Sequence, residues 1–232
     1  MNEYLCFTCI ILIVYVSILI LYKSRNKMRH KDSNSLYAHF SRIDRFNYVL
    51  FPSLLFTHPK KITLHAGQSL FIPKKWWHWV KTTERTFAIN YWFINEEYKE
   101  PFTFHFTNNV DVSSLSDVQV NIWDSINDTR SINSVNFENF YNSKRDNMYI
   151  ITVNDFDTGS HNHKLKESVK KYITTPDIVP VKFDYNVWVS SGKHDTGLHY
   201  DDEDGILNVV EGKKEIILFQ PSDTPYLQPY RI

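Results

Sequence analysis

The sequence predicts a mostly β fold with a smaller helical share, joined to an N-terminal transmembrane helix. Three observations predict it. Short β-branched or aromatic runs with turn residues between them fill residues 36–93 and 181–232. The stretch between them, 94–180, is mixed and holds apolar residues at helical spacing. Ahead of all three, YLCFTCIILIVYVSILILY runs from Tyr4 to Tyr22 without a charge.

The apolar run comes first along the chain. At about 1.5 Å per residue, a helix over it nearly crosses a hydrocarbon core of about 30 Å, so residues 1–22 read as a membrane anchor. A cleaved signal peptide is the alternative, yet Glu3 rather than a basic group precedes the run and no small-residue cleavage pattern follows it. Lys23, Arg25, Lys27, Arg29 and Lys31 come directly after, in a basic linker over residues 23–35. The positive-inside rule then places the remaining domain, residues 36–232, on the cytosolic side of a single-pass membrane protein.

Within that domain the first region offers strands at KITLH, SLFIP, HWVKT and TFAINYWF. The middle region offers helices at DVSSLSDVQVNIWDSI and at HKLKESVKKYI, where Leu165, Val169 and Ile173 share one face, with a strand MYIITV between them. Strands return at NVWVSS, TGLHYD, ILNVVEG and KEIILFQP. With 232 residues, 42% hydrophobic and 16% aromatic, the chain can bury a large core. Its 26 basic and 26 acidic residues balance, so the electrostatic footprint of a nucleic-acid binder is missing. Cys6 and Cys9 both lie in the apolar run, which leaves the domain without thiols for a disulfide or a zinc cluster.

His199 and Asp201 stand two apart in TGLHYDDEDG, so on a strand both side chains leave the same face and can meet one ion. A second histidine would complete the two-histidine, one-carboxylate set with which non-haem iron(II) oxygenases hold their metal. An HxD pair alone is weak evidence, because such pairs also arise by chance. Its surroundings are more specific. Thr196 precedes the histidine by three, GKK at Gly212–Lys214 opens the strand KEIILFQP, and GQSLFIPKKWWHWV at Gly67–Val80 places His78 behind two tryptophans.

These blocks resemble the JmjC-like cupin family of Fe(II)- and 2-oxoglutarate-dependent oxygenases, which includes the asparaginyl hydroxylase acting on hypoxia-inducible factor. In that family T-x-x-H-x-D is followed by G-x-K and an apolar strand ending in proline, and later by G-D-x-L-[FY]-I-P-x-x-W-W-H. The resemblance implies a double-stranded β-helix, the jelly roll of a cupin, with a helical layer from residues 95–180. It makes His199, Asp201 and His78 the Fe(II) ligands, and has Lys214 and Thr196 hold the distal carboxylate of 2-oxoglutarate. Asn90 would sit beside that co-substrate and Trp92 would line the pocket. The implied activity is oxidative decarboxylation of 2-oxoglutarate coupled to hydroxylation or demethylation of a protein or small-molecule substrate.

The chain departs from the family in order: His78 precedes His199, whereas the family has the HxD block first. A circular permutation accounts for this and expects residue 232 to lie beside the chain near residue 45; two incomplete barrels in one chain are the alternative. Gln68 replaces a frequent aspartate, a turn detail, and Gly205 replaces a frequent asparagine near the co-substrate. The glycine keeps open a second reading, a non-catalytic cupin-like binding module. Trp76, Trp77 and Trp79 read as packing, His161 and His163 as loop residues, Asp202, Glu203 and Asp204 as a solvated turn. Lys213 yields the family position to Lys214, and His65 and His194 have no spacing argument.

Overall fold

A computed structural model of the chain describes residues 39–126, 129–131, 133–152, 154–155, 159–160 and 162–229. Its strands in chain order are β1 (Lys60–His65), β2 (Gln68–Ile72), β3 (Trp77–Thr82), β4 (Thr86–Phe93), β5 (Phe102–His105), β6 (Gln119–Val120), β7 (Trp123–Asp124) and β8 (Thr129–Arg130). They continue with β9 (Val135–Asn136), β10 (Met148–Ile151), β11 (Asn154–Asp155), β12 (Gly159–Ser160), β13 (Asp184–Ser190), β14 (His194–His199), β15 (Asp204–Glu211) and β16 (Lys213–Phe219). Among the described residues two short α-helices, Phe137–Tyr141 and His163–Lys170, accompany them.

Two sheets carry the fold. One has the order β1-β16-β3-β14 and the other β5-β2-β15-β4-β13-β10-β7-β8. From β1 to β4, and again from β13 to β16, the chain alternates between the two sheets, an arrangement consistent with a jelly roll. Leu64, Leu70, Ile72, Val80, Ala88, Leu207, Val209, Ile216 and Leu218, drawn from both sheets, form one buried cluster between them. The back of the larger sheet offers Phe87, Ile89, Tyr91, Val187 and Val189, which pack with Val120, Ile122, Phe137, Phe140, Leu165 and Val169 from the middle region. Strand alternation explains both: Ala88 faces inward while its neighbours Phe87 and Ile89 face the covering layer.

β3 is central to the smaller sheet and is buried at five of its six positions. Trp77 and Trp79, exposed by 0% and 1%, lie on one face, and His78, Val80 and Thr82 on the other. β14 pairs with β3 in one register at His194↔Thr82 and Asp195↔Lys81, and in a register shifted by one at Leu198↔Trp79 and His199↔His78. Between them Thr196 and Gly197 oppose the single residue Val80, a β-bulge with Gly197 at φ 75°. An unbroken ladder would set Leu198 opposite His78 and turn His199 out of the barrel. The first block therefore closes onto the second within one chain, which rules out two separate incomplete barrels.

Several expectations are corrected. DVSSLSDVQVNIWDSI forms no α-helix: it gives a 3₁₀ turn at Val112–Leu115 and then β6 and β7. The reason is phase, since Val118, Val120 and Ile122 recur with period two and all reach the core cluster. The helix Phe137–Tyr141 was not expected, although Phe137, Phe140 and Tyr141 have helical spacing. The anchor expected over Tyr4–Tyr22 lies outside the described residues. Among the described residues no helix is long and apolar enough to cross a membrane. The longest, His163–Lys170, rises only about 12 Å and carries three lysines. The single-pass membrane location with a cytosolic domain is accordingly not retained.

The chain divides into two compact units, one over His58–Ser222, the other combining Met1–Thr57 with Asp223–Ile232. Within the second, Ser41 bridges to Pro229, the Arg42 amide donates to the Gln228 carbonyl at 3.0 Å, and Ser53 donates to the Tyr226 carbonyl at 2.7 Å. Both ends of the described chain thus meet there, with residues 230–232 outside it. Within the first, β16 ends where β1 begins, Leu218 pairing with Lys60.

The bulge yields a direct prediction. A side chain at Gly197 must adopt the left-handed region, so Gly197→Ala is expected to cost about 1–2 kcal/mol, read as a lower urea midpoint at unchanged slope. An unaltered midpoint would show that the bulge does not depend on glycine.

Candidate functional site

His78 is the second residue of β3 and His199 closes β14, and as register partners their rings lie 4.2 Å apart between centroids. Asp201 follows just past β14. One ligand-type atom from each of the three lies within 4.8 Å of the others. His78 Nε2 is 3.6 Å from Asp201 Oδ2. The Nδ1 atoms are committed elsewhere: that of His78 donates to the Trp76 carbonyl at 3.0 Å and that of His199 to the Gly197 carbonyl at 3.1 Å. Because a carbonyl only accepts, both rings carry their proton on Nδ1, which leaves Nε2 as the coordinating atom. Trp92 Nε1 donates to Asp201 Oδ2 at 3.3 Å and orients that carboxylate. Two imidazole nitrogens and one carboxylate on one side of a small octahedral ion is a donor set suited to Fe(II).

The loops around this cluster are tied together. The Lys75 amide donates to the Asp201 carbonyl at 2.8 Å, and the Lys75 ammonium pairs with Asp202. Asp204 was expected in a solvated turn, but it is only 1% exposed. Its Oδ1 accepts from the Lys74 amide at 2.9 Å and its Oδ2 from the Asn95 amide at 2.8 Å. A carboxylate that satisfies two backbone donors can be buried without a cation, which periodicity alone does not reveal. Asp202 does remain half exposed.

All seven residues singled out from the sequence, His78, Asn90, Trp92, Thr196, His199, Asp201 and Lys214, line one cavity of about 670 Å³ including its open mouth. The Thr196 hydroxyl is already engaged in the bulge, accepting from the Val80 amide at 3.2 Å and lying 3.3 Å from the Val80 carbonyl. Lys214 is 4% exposed, and among the described residues no carboxylate neutralises it. Burial lowers its pKa to about 8. Lys214 and His194 flank Thr82 on either side, four residues along β3 from His78, roughly 13 Å of strand.

Sequence reasoning assigned no role to His194, Trp188 or the Tyr149 that touches both. His194 is 5% exposed, with its ring 4.3 Å from that of Tyr149. Burial, and secondarily the charge of Lys214, pushes its pKa down to about 3, so it is neutral at pH 7. Trp188 lines the cavity and stacks on Tyr149 at 5.5 Å and 15°. Among the described residues its buried Nε1 has no acceptor and the buried Oδ1 of Asn90 has no donor. The available signal was phase: His194 and Thr196 alternate onto one face of HDTGLH, as Asn186 and Trp188 do in DYNVWVS. Gly205 lies on the same wall, where an added Cβ would meet the Tyr91 carbonyl at 3.6 Å, ordinary contact.

Comparison with known proteins adds to this geometry. The model of the family described as Cupin-like domain matches residues 15–99 and 119–232, and its match begins inside the N-terminal apolar run. Protein L887 of Acanthamoeba polyphaga mimivirus, named for a JmjC domain, is 32% identical over 88% of this chain. JmjC domain-containing protein C of Dictyostelium discoideum is 37% identical over 28% of it, and lysine-specific demethylase JMJ31 of Arabidopsis thaliana is 33% identical over 29%. The chain spans 41%, 16% and 13% of these relatives' own lengths. No solved structure matches it significantly.

The neutral His194 fixes a pH dependence. Its folded pKa of about 3 lies below the unfolded 6.5, so the unfolded chain binds more protons between those values. Stability from this group is full above pH 6.5 and falls as the pH drops, by about 3 kcal/mol at pH 4. Urea unfolding at pH 7 and pH 4 is expected to show this loss in the wild type and much less of it in His194→Phe; equal losses in both would discount the residue.

Proposed function

The chain belongs to the cupin-like domain family, and from that premise we propose that it is an Fe(II)- and 2-oxoglutarate-dependent oxygenase of hydroxylase or demethylase type. The observation that carries the reading is the pairing of two sites in one cavity. One is the cluster of His78, His199 and Asp201; the other is Lys214, a buried cation that no carboxylate among the described residues neutralises. The JmjC names of the relatives, and the demethylase name of one, support the same class.

His78 and His199 would hold the ion through Nε2 and Asp201 through its carboxylate, with the Nδ1 bonds and Trp92 fixing their orientation. The chemistry an iron(II) ion supplies when bound there is the coupling of 2-oxoglutarate decarboxylation to oxidation of a substrate. Lys214 would neutralise the distal carboxylate, which is favourable because a buried ammonium needs an anionic partner. Thr196 would donate to the same carboxylate only by releasing the Val80 and Gly197 carbonyls, since one hydroxyl hydrogen serves one acceptor at a time. Ile72, Val80 and Leu207 keep the cavity wall apolar and restrict water.

The barrel is further read as a circularly permuted double-stranded β-helix. Support comes from the alternation of β1–β4 and β13–β16 between the sheets, and from the end of β16 lying beside the start of β1. Joined there, the strands would run in the family's order. Gly205 favours one rival, a binding module that keeps the metal site but not the turnover, because it leaves bare the wall where the family often has asparagine.

Two measurements decide between these readings. The full chain with Fe(II) and ascorbate is expected to convert 2-oxoglutarate to succinate, and Asp201→Ala to lose that conversion at least 100-fold; metal binding without conversion would favour the binding module. Calorimetric 2-oxoglutarate affinity is expected to fall as the pH rises through about 8, because the charged Lys214 is the form that binds. Lys214→Met is expected to bind weakly and without that pH dependence.

A further inference from the structure

We propose that Trp188 is a ligand-binding residue, whose indole N–H donates to the same carboxylate that Lys214 neutralises. The inference rests on reading the cavity as a 2-oxoglutarate site. An indole nitrogen is a donor only, and a buried donor without an acceptor costs free energy that folded proteins seldom leave uncompensated. Trp188 Nε1 is buried on the cavity wall, and among the described residues it has no acceptor. The indole is not loosely placed: its ring stacks on Tyr149, and its backbone is held between Ala88 of β4 and Ile151 of β10.

None of the four cavity-lining residues with a side-chain oxygen serves it: Thr196 Oγ1 accepts from the Val80 amide and Tyr91 Oη from Asn108 Nδ2. Asp201 takes Trp92, and Asn90 Oδ1 is itself without a partner among the described residues, on a β4 residue paired with Asn186 rather than Trp188. The donor also belongs with the cation end of the cavity. Tyr149 touches both Trp188 and His194, and His194 feels the charge of Lys214. Lys214 and Trp188 both line the cavity, so a carboxylate can present one oxygen to each. Lys214 supplies the charge and the rigid indole supplies direction, so the pair selects ligands with a carboxylate at the far end from the metal cluster.

The test uses the full chain loaded with Mn(II), titrated calorimetrically with 2-oxoglutarate and, separately, with pyruvate, which has the 2-oxo acid but lacks the distal carboxylate. Trp188→Phe keeps an aromatic ring against Tyr149 and removes the donor. It is expected to raise the Kd for 2-oxoglutarate about tenfold or more, leave that for pyruvate within twofold, and leave the melting temperature without ligand unchanged or higher. Unchanged 2-oxoglutarate binding, or equal losses for both ligands, would overturn the assignment. If Trp188→Phe does not fold, the same titrations on Trp188→Leu decide it. A wild-type protein that binds Mn(II) and pyruvate but gains nothing from the distal carboxylate overturns this assignment alone. One that binds neither acid overturns the oxygenase reading as well.

Discussion

The site depends on one strand pairing. His78 and His199 are separated by most of the domain in sequence, and only the antiparallel contact of β3 with β14 brings them opposite one another. That contact is useful only because a single bulge at Thr196 and Gly197 resets its phase partway along. Thr196 lines the cavity within the bulge and His199 lines it after, although an unbroken strand would turn residues three apart to opposite faces. β3 is held in place independently, with tryptophans buried on the face opposite to His78. Large aromatic side chains behind a ligand strand resist displacement because each buries so much apolar area.

Electrostatically the cavity is asymmetric. One end gathers imidazoles and a carboxylate, a set that balances the charge of a cation. The other end holds a lysine whose depressed pKa reflects burial alone, beside a histidine kept neutral. A buried ammonium of this kind is costly to the empty fold. Its retention, in the same cavity as a metal-type cluster, is the physical argument for an anionic ligand there, independent of any resemblance.

Much of this was legible in the sequence. Of the eight strands that alternate between the sheets, all but β14 correspond to a short apolar or aromatic run, because burial of one or both faces forces that composition. His78, His199, Asp201 and Lys214 were readable because their chemistry requires fixed residue types near fixed turns. What escaped had no such signature. The bulge is one extra residue; its mark, a glycine in TGLH, is also that of any turn. Asp204 looks like its exposed neighbours until its two amide donors, from distant segments, are seen. The 111–126 stretch was misread because serines and aspartates hid an alternation of Val118, Val120 and Ile122. Trp188 has a role only through what surrounds its nitrogen.

The Asp204 carboxylate also couples two segments that are distant in sequence. One oxygen holds the connection before β3 and the other holds the segment after β4, so the two share a single fastener. Releasing either leaves half of a buried carboxylate under-solvated. The loop that leads into the strand of His78 and the loop that leaves the strand of Asn90 and Trp92 are therefore held as one joint, and a substitution that loosens one also loosens the other.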